Sequence, residues 1–269
     1  MNIVEQYLSS KVDDMNLCED GIFINEHFIA VIDGVTAKGR IKWDGVTSGF
    51  RAKEVIKHTL RSLSGSETKE NVFHKLNHAL FQSYQDIDFF YNNPEERLQA
   101  TIVIYSIKSA QIWQFGDCQF MLNGELHSNE MNIDSLLAEV RAVFLELEMM
   151  NGVSITSLCN NDPSNELIFP ILKRQFLFSN KDCKYGFAVL DGFCEDFSRI
   201  ESVDVPNASE VVLASDGYPK LYASLQESEQ YLRWLRENDP LCIRIYKSTR
   251  GFTNGKASLD DRAYIRFIT

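Results

Sequence analysis

Nothing in this sequence marks a thiol-based or membrane-bound protein. Its six cysteines, Cys18, Cys118, Cys159, Cys183, Cys194 and Cys242, never stand two residues apart as zinc and redox pairs do. They read as scattered reduced thiols. No apolar run approaches the roughly 20 residues that cross a bilayer. The opening "MNIVEQYLSSK" lacks the basic-then-apolar order of a signal peptide. A soluble, cytoplasmic protein with no membrane partner is therefore expected. Positive charge is also scarce, with 27 Lys and Arg against 38 Asp and Glu, a net of -11. Such a surface repels phosphate backbones, so no nucleic-acid partner is expected. The chain has no repeat, no low-complexity tract and no linker.

What remains is a chain of 269 residues with 44% hydrophobic content. That is enough for a full core, and one domain over residues 1–269 fits better than two small ones. "GIFINEHFIAVIDG" reads as two strands turning at Asn25-Glu26. Apolar residues between Asp44 and Ser64 recur at helical spacing, with Asp44 or Thr47 as cap. A second helix is predicted from Lys69 to Phe90. Three strands follow in "ATIVIYSI", "AQIWQFGD" and "CQFMLNG", then a helix over 133–149. The mixed segment 150–182 resists assignment. Further strands are predicted at "YGFAVLDG", "EVVLASDG" and "RAYIRFIT", with 224–247 mainly helical. Helices and hairpins come in blocks, which favours α+β layers over a doubly wound parallel sheet.

Carboxylates recur at strand ends. Asp33-Gly34 closes one apolar strand, and Asp216-Gly217 closes another. Glu19-Asp20 opens the strand that precedes Asp33, and Asp260-Asp261 opens the last one. Strand ends hold side chains firmly, and converging acids repel unless a cation joins them. Oxygen ligands without His or Cys suit Mg²⁺ or Mn²⁺. Any single Asp-Gly is more often a plain turn than a ligand. Asp117, in the tight "FGDC" hairpin, reads as such a structural residue. His74 and His78 have zinc-helix spacing but no adjoining Glu, and read as surface histidines.

The ordered set "CED", "VIDG", "WQFGDCQFMLNG", "LASDG" and "DDRAYIRF" resembles the motif series of the metal-dependent protein phosphatases of type 2C, over nearly the whole chain. The resemblance implies an α+β fold, a four-layer α-β-β-α sandwich of two antiparallel sheets flanked by helices. It implies two Mn²⁺ or Mg²⁺ ions and a phosphorylated protein as substrate. Asp33 would bridge the ions, with the Gly34 carbonyl reaching one. Glu19 would ligate the second ion, and Asp216 and Asp260 the first. Asp20 would hold water from behind. The ions would acidify a bridging water for in-line attack on phosphorus, with no covalent intermediate. A haloacid-dehalogenase-type phosphatase would need a second Asp two residues after Asp33, where Val35 stands.

Three departures from the family pattern stand out. Val35-Thr36-Ala37 follows Gly34 where glycine is usual. No Arg precedes Glu19; Lys11 is the basic residue of that stretch, as phosphate binder or ordinary surface. Lys220 stands where an acid for a third ion is usual. It reads either as solvated or as a substitute charge that pairs with Glu96, a possible third-site acid, or touches substrate phosphate. Lys173 and Arg174, in the divergent segment 150–182, can meet a phosphorylated partner or be solvated. These departures leave a second reading, a non-catalytic binding module that keeps the metal site.

Overall fold

The computed structural model describes residues 1–253, 256 and 258–269. The chain begins with β1 (Asn2–Ser9), then a hairpin of β2 (Gly21–Ile24) and β3 (Phe28–Gly34). Next come α1 (Ser48–Arg61), α2 (Lys69–Phe81) and a short α3 (Ile87–Asn92). Two hairpins follow, one of β4 (Ala100–Ser106) and β5 (Gln111–Phe115), the next of β6 (Gln119–Leu122) and β7 (Glu125–His127). Then come α4 (Asn132–Met150), α5 (Ile155–Asn160) and α6 (Ser164–Arg174). The chain closes with β8 (Glu201–Asp204), β9 (Glu210–Ala214), α7 (Leu225–Asn238) and β10 (Arg262–Ile268).

The strands form two antiparallel sheets of five, ordered β2-β3-β4-β5-β8 and β1-β10-β9-β6-β7. The run "FIAVI" of β3 is apolar on both faces because both are covered. Ile29 and Val31 point between the sheets, against Val211, Leu213, Ile265 and Phe267. Phe28, Ala30 and Ile32 point outward, under Ile56 and Leu60 of α1 and Phe73 and Leu76 of α2. The outer face of the second sheet packs Val212, Ala214 and Tyr264 beneath Tyr218, Leu221 and Leu225, the lead into α7. This is the layered α+β sandwich, two antiparallel sheets flanked by helices, that the motif series implied.

Thr47 caps α1, its hydroxyl accepting the Phe50 N–H at 3.3 Å. The helix expected over 69–90 is broken in two. Asp86 restarts it by accepting the Phe89 N–H at 2.9 Å, and the buried Tyr84 hydroxyl donates to the Asp191 carbonyl at 2.8 Å. The segment 150–182 resolves into α5, α6 and a 3₁₀ turn, Gln175–Phe178. Ile168 of α6 packs on Ile133 and Leu137 of α4.

Three expectations are corrected. "YGFAVLDG" is not a strand but makes isolated bridges at Phe187 and Leu190. Its backbone is satisfied by side-chain amides: Asn180 bonds the Val189 carbonyl at 2.9 Å and N–H at 3.0 Å. The fifth strand of that sheet is β8. β1 was not expected either. Residues 239–247 leave the helix because the Asp239 carboxylate takes the N–H groups of Ile243, Arg244, Ile245 and Tyr246.

Candidate active site

The strand-end carboxylates meet at one end of the sandwich. Asp33, near the end of β3, pairs in register with Thr101 of β4. The Thr101 hydroxyl donates to Asp117 at 2.8 Å, which draws Asp117 out of its hairpin and toward Asp33. Gly116 makes that turn at φ 99°, a left-handed value that favours glycine. Asp117 is thus more than the turn residue expected from sequence.

Ser215 and Asp216 follow β9. The Ser215 hydroxyl accepts the Ala263 N–H at 3.0 Å, and Gln119 donates to the carbonyls of Ser215 and Tyr218 at 3.1 and 2.9 Å. The Asp216 turn is therefore fastened to β10 and β6. The Asp33 and Asp216 carboxylates lie close enough to act directly on each other. Asp20, the residue before β2, lies within electrostatic reach of Asp216, Asp260 and Asp261.

Asp261 ties the other side together. Its two oxygens accept the Lys11 N–H at 2.8 Å and the Glu19 N–H at 2.7 Å. The Lys11 ammonium then reaches Asp260 at 2.8 Å and Glu19 at 3.3 Å. Arg250 pairs with the remaining oxygen of Asp260. The Thr36 hydroxyl bonds Glu19 Oε2, the oxygen that also takes Lys11. Gly34 N–H donates to the Glu19 carbonyl at 3.2 Å. Gly34 and Gly49, the second residue of α1, touch backbone to backbone.

The cluster has two electrostatic halves. Burial, then the charges of neighbouring acids, raises Asp20 and Asp33 well above the usual carboxylate range. Burial also raises Asp117. Asp216 is pushed up to about 7 by the protein packed round it and by Asp117 and Asp260. It opens onto a cleft, so solvent reduces the energetic weight of that shift. Burial would raise Asp260 too, but Arg250 and then Lys11 outweigh it and bring it down to about 2. The cleft has a volume of about 310 Å³, and Asp117, Asp216, Lys220, Arg250 and Asp260 line it.

The residues fit a hard divalent cation in donor chemistry. All donors are oxygen, and Glu19 Oε1 and Asp20 Oδ2 are buried without a hydrogen-bond partner. Glu19 and Asp20 are 3% and 2% exposed, so those oxygens need a charge from within the cluster. Among the described residues, no three acids, histidines or cysteines already surround one point as finished ligands.

The structure brings together Glu19, Asp20, Asp33, Gly34, Asp216 and Asp260, with Lys11 among them. It separates Lys220 and Glu96, and the expected pairing of these two is corrected. The Lys220 ammonium lies over the rings of Tyr222 and Tyr231, 5.0 and 5.6 Å from their centroids. The Glu96 carboxylate accepts the N–H groups of Arg40 and Ile41 at 2.8 and 2.9 Å, anchoring the turn after Gly39. Lys173 pairs with Glu95 at 3.8 Å. Sequence reasoning missed Arg250, which sits in a stretch without periodicity, and Thr36.

No protein-family model matches the chain, and no curated protein matches it. Among solved structures, the serine/threonine phosphatase PstP/Ppp of Mycobacterium tuberculosis is 12% identical, with 99% of this chain and 98% of that one covered and a TM-score of 0.49. A serine/threonine phosphatase of S. agalactiae is 14% identical, with 98% of both chains covered and a TM-score of 0.49. PppA, a key regulatory component of T6SS in Pseudomonas aeruginosa, is 14% identical, with 98% of this chain and 96% of that one covered and a TM-score of 0.48. The chain is similar to serine/threonine phosphatases. At such identities the chemistry has to be read from this chain's own residues.

Proposed function

We propose that the protein is a phosphomonoester hydrolase dependent on Mn²⁺ or Mg²⁺, acting on phosphoserine or phosphothreonine in a protein. The observation that carries this reading is the convergence of Asp20, Asp33, Asp117, Asp216 and Asp260 from separate strands, beside buried unpaired oxygens on Glu19 and Asp20. Asp33, Asp216, Glu19 and the Gly34 carbonyl would hold the cation, Asp260 lies beside them, and Asp20 stands behind. When bound, the cation supplies Lewis-acid charge to a phosphoryl oxygen and acidifies water. The chain's own work is positional. Thr36 and the Asp261 carboxylate fix Glu19, and Thr101 fixes Asp117. The open cleft beside Asp216 would receive the phosphorylated side chain. Lys220 at its wall is a candidate contact for substrate phosphate.

The test is hydrolysis of p-nitrophenyl phosphate and of a phosphothreonine peptide with Mn²⁺, with Mg²⁺ and after chelation. Metal-dependent turnover that Asp33→Asn and Asp216→Asn both abolish is expected. Wild-type protein that binds Mn²⁺ yet stays inert on both substrates would favour the second reading, a metal-holding binding module. The basic side chains already seated on Asp260 are the observation that lends that reading weight.

A further inference from the structure

The four acids Asp20, Asp33, Asp117 and Asp216 have no ion pair among the described residues, whereas Glu19, Asp260 and Asp261 share Lys11 and Arg250. The division follows from how Lys11 is delivered. β1 pairs with β10 as far as Ser9 and Arg262. Two residues later, the Lys11 main chain is locked at 2.8 Å by the Asp261 carboxylate that also holds the Glu19 main chain at 2.7 Å. One side chain thus sets the spacing between Lys11 and Glu19, and the ammonium falls between Glu19 Oε2 and Asp260 Oδ1. Its side chain is only 19% exposed. Arg250 covers Asp260 Oδ2, and Thr36 shares Glu19 Oε2. Both oxygens of Asp260 and one of Glu19 are therefore engaged by donors of this chain. Glu19 Oε1 and Asp20 Oδ2 are buried without a hydrogen-bond partner.

We propose that Lys11 and Arg250 are built-in cations that take the place of one divalent ion, so that this cluster holds a single Mn²⁺ or Mg²⁺ on its Asp33–Asp216 side. A second ion beside Asp260 would have to displace a lysine and an arginine from the same carboxylate. The inference rests on the metal-dependent reading above and narrows it to one ion, with fixed positive charge standing where a second would lie.

The deciding measurement is Mn²⁺ stoichiometry, not turnover. Full-length protein loaded with Mn²⁺ and desalted is assayed for retained metal, and titration calorimetry counts the sites. Wild type is expected to hold one ion per chain. Lys11→Met is expected to hold two, and Lys11→Arg, which restores the cation, one. Arg250→Gln serves as a second probe, because the Arg250 side chain is 43% exposed and its loss leaves the buried lysine in place. It is expected to loosen Asp260 and admit a second ion at higher Mn²⁺ concentration. Two ions in wild type, together with metal-dependent hydrolysis, would overturn this inference alone. One ion in wild type and in both Lys11→Met and Arg250→Gln would also overturn it. No retained Mn²⁺ in any of them would overturn it together with the metal-dependent reading.

Discussion

Replacing Gly49 by alanine separates two opposing effects. Gly49 lies inside α1, where alanine is favoured over glycine by about 1 kcal/mol. Its φ is outside the left-handed region, so the backbone accepts a side chain. Helix propensity alone predicts a more stable protein. The packing predicts the reverse. A Cβ on Gly49 would stand 2.6 Å from the Gly34 carbonyl carbon and 2.7 Å from Glu19 Oε1. The first neighbour is backbone at the end of β3 and cannot rotate away, so helix and strand must part. Overpacking of this kind costs about 3 kcal/mol at its upper end. The net is about 2 kcal/mol of destabilisation. With a urea slope of roughly 3 kcal/mol per molar, the midpoint falls by about 0.7 M. Equilibrium urea unfolding followed by circular dichroism reads this directly. Gly124→Ala is the control: its φ of 86° strains a side chain, but the space around it is open, so a cost of about 1 kcal/mol is expected. A Gly49→Ala midpoint at or above the wild-type value would refute the close backbone contact between Gly34 of β3 and Gly49 of α1.

Arg141 is fully buried, pairs with Asp162 and donates to the Leu241 carbonyl at 2.7 Å and the Ser248 carbonyl at 3.1 Å. Arg141→Leu leaves these groups unpaired and should cost about 3 kcal/mol in urea unfolding; a loss below about 1 kcal/mol would contradict the bonding described. Glu67 is pushed up by burial, but the Lys75 ammonium and hydrogen bonds from Ser64 and from its own N–H outweigh that and bring it down to about 2. A depressed carboxyl stabilises the fold above its ordinary value of 4.5 and loses that contribution as pH falls toward 2. Near solvent the effect is about 1 kcal/mol. Melting curves of Glu67→Gln should therefore fall below wild type at pH 7 and converge with it in acid. Cys183 is exposed while Cys18, Cys118, Cys194 and Cys242 are buried. A thiol reagent should label Cys183 first, and mass spectrometry finding Cys118 modified in the native protein would contradict its place between the sheets.

Legibility in the sequence followed burial. β3 and β4 are covered on both faces, and their unbroken apolar runs announced them. β8 is mostly exposed, with the sequence "ESVD", and gave no periodic signal to find. "YGFAVLDG" carried the opposite error. It has the composition of a strand, but Asn180 and Asn77 supply the hydrogen bonds a neighbouring strand would have supplied. Such long-range side-chain partners leave no local pattern. The helix predicted over 69–90 was right in its apolar spacing and missed the break between Phe81 and the cap at Asp86.

The site divides the same way. Acids at strand ends were readable because the chain must leave each strand at that point and the carboxylate goes with it. The cations were not readable, because their positions depend on contacts between distant segments. Lys11 stands 249 residues from Asp260 in the chain, and it meets that acid because Asp261 bonds the Lys11 main chain. Arg250 arrives from a loop whose shape is set by Arg141 and Asp239. Positive charge beside Asp260 is thus supplied by two residues from opposite ends of the sequence, while Lys220 rests on Tyr222 and Tyr231. Four mutually repelling acids on one side and two fixed cations on the other make the cluster asymmetric before any ion binds. That asymmetry is why counting bound Mn²⁺ discriminates between mechanisms where loss of activity in a carboxylate variant would not.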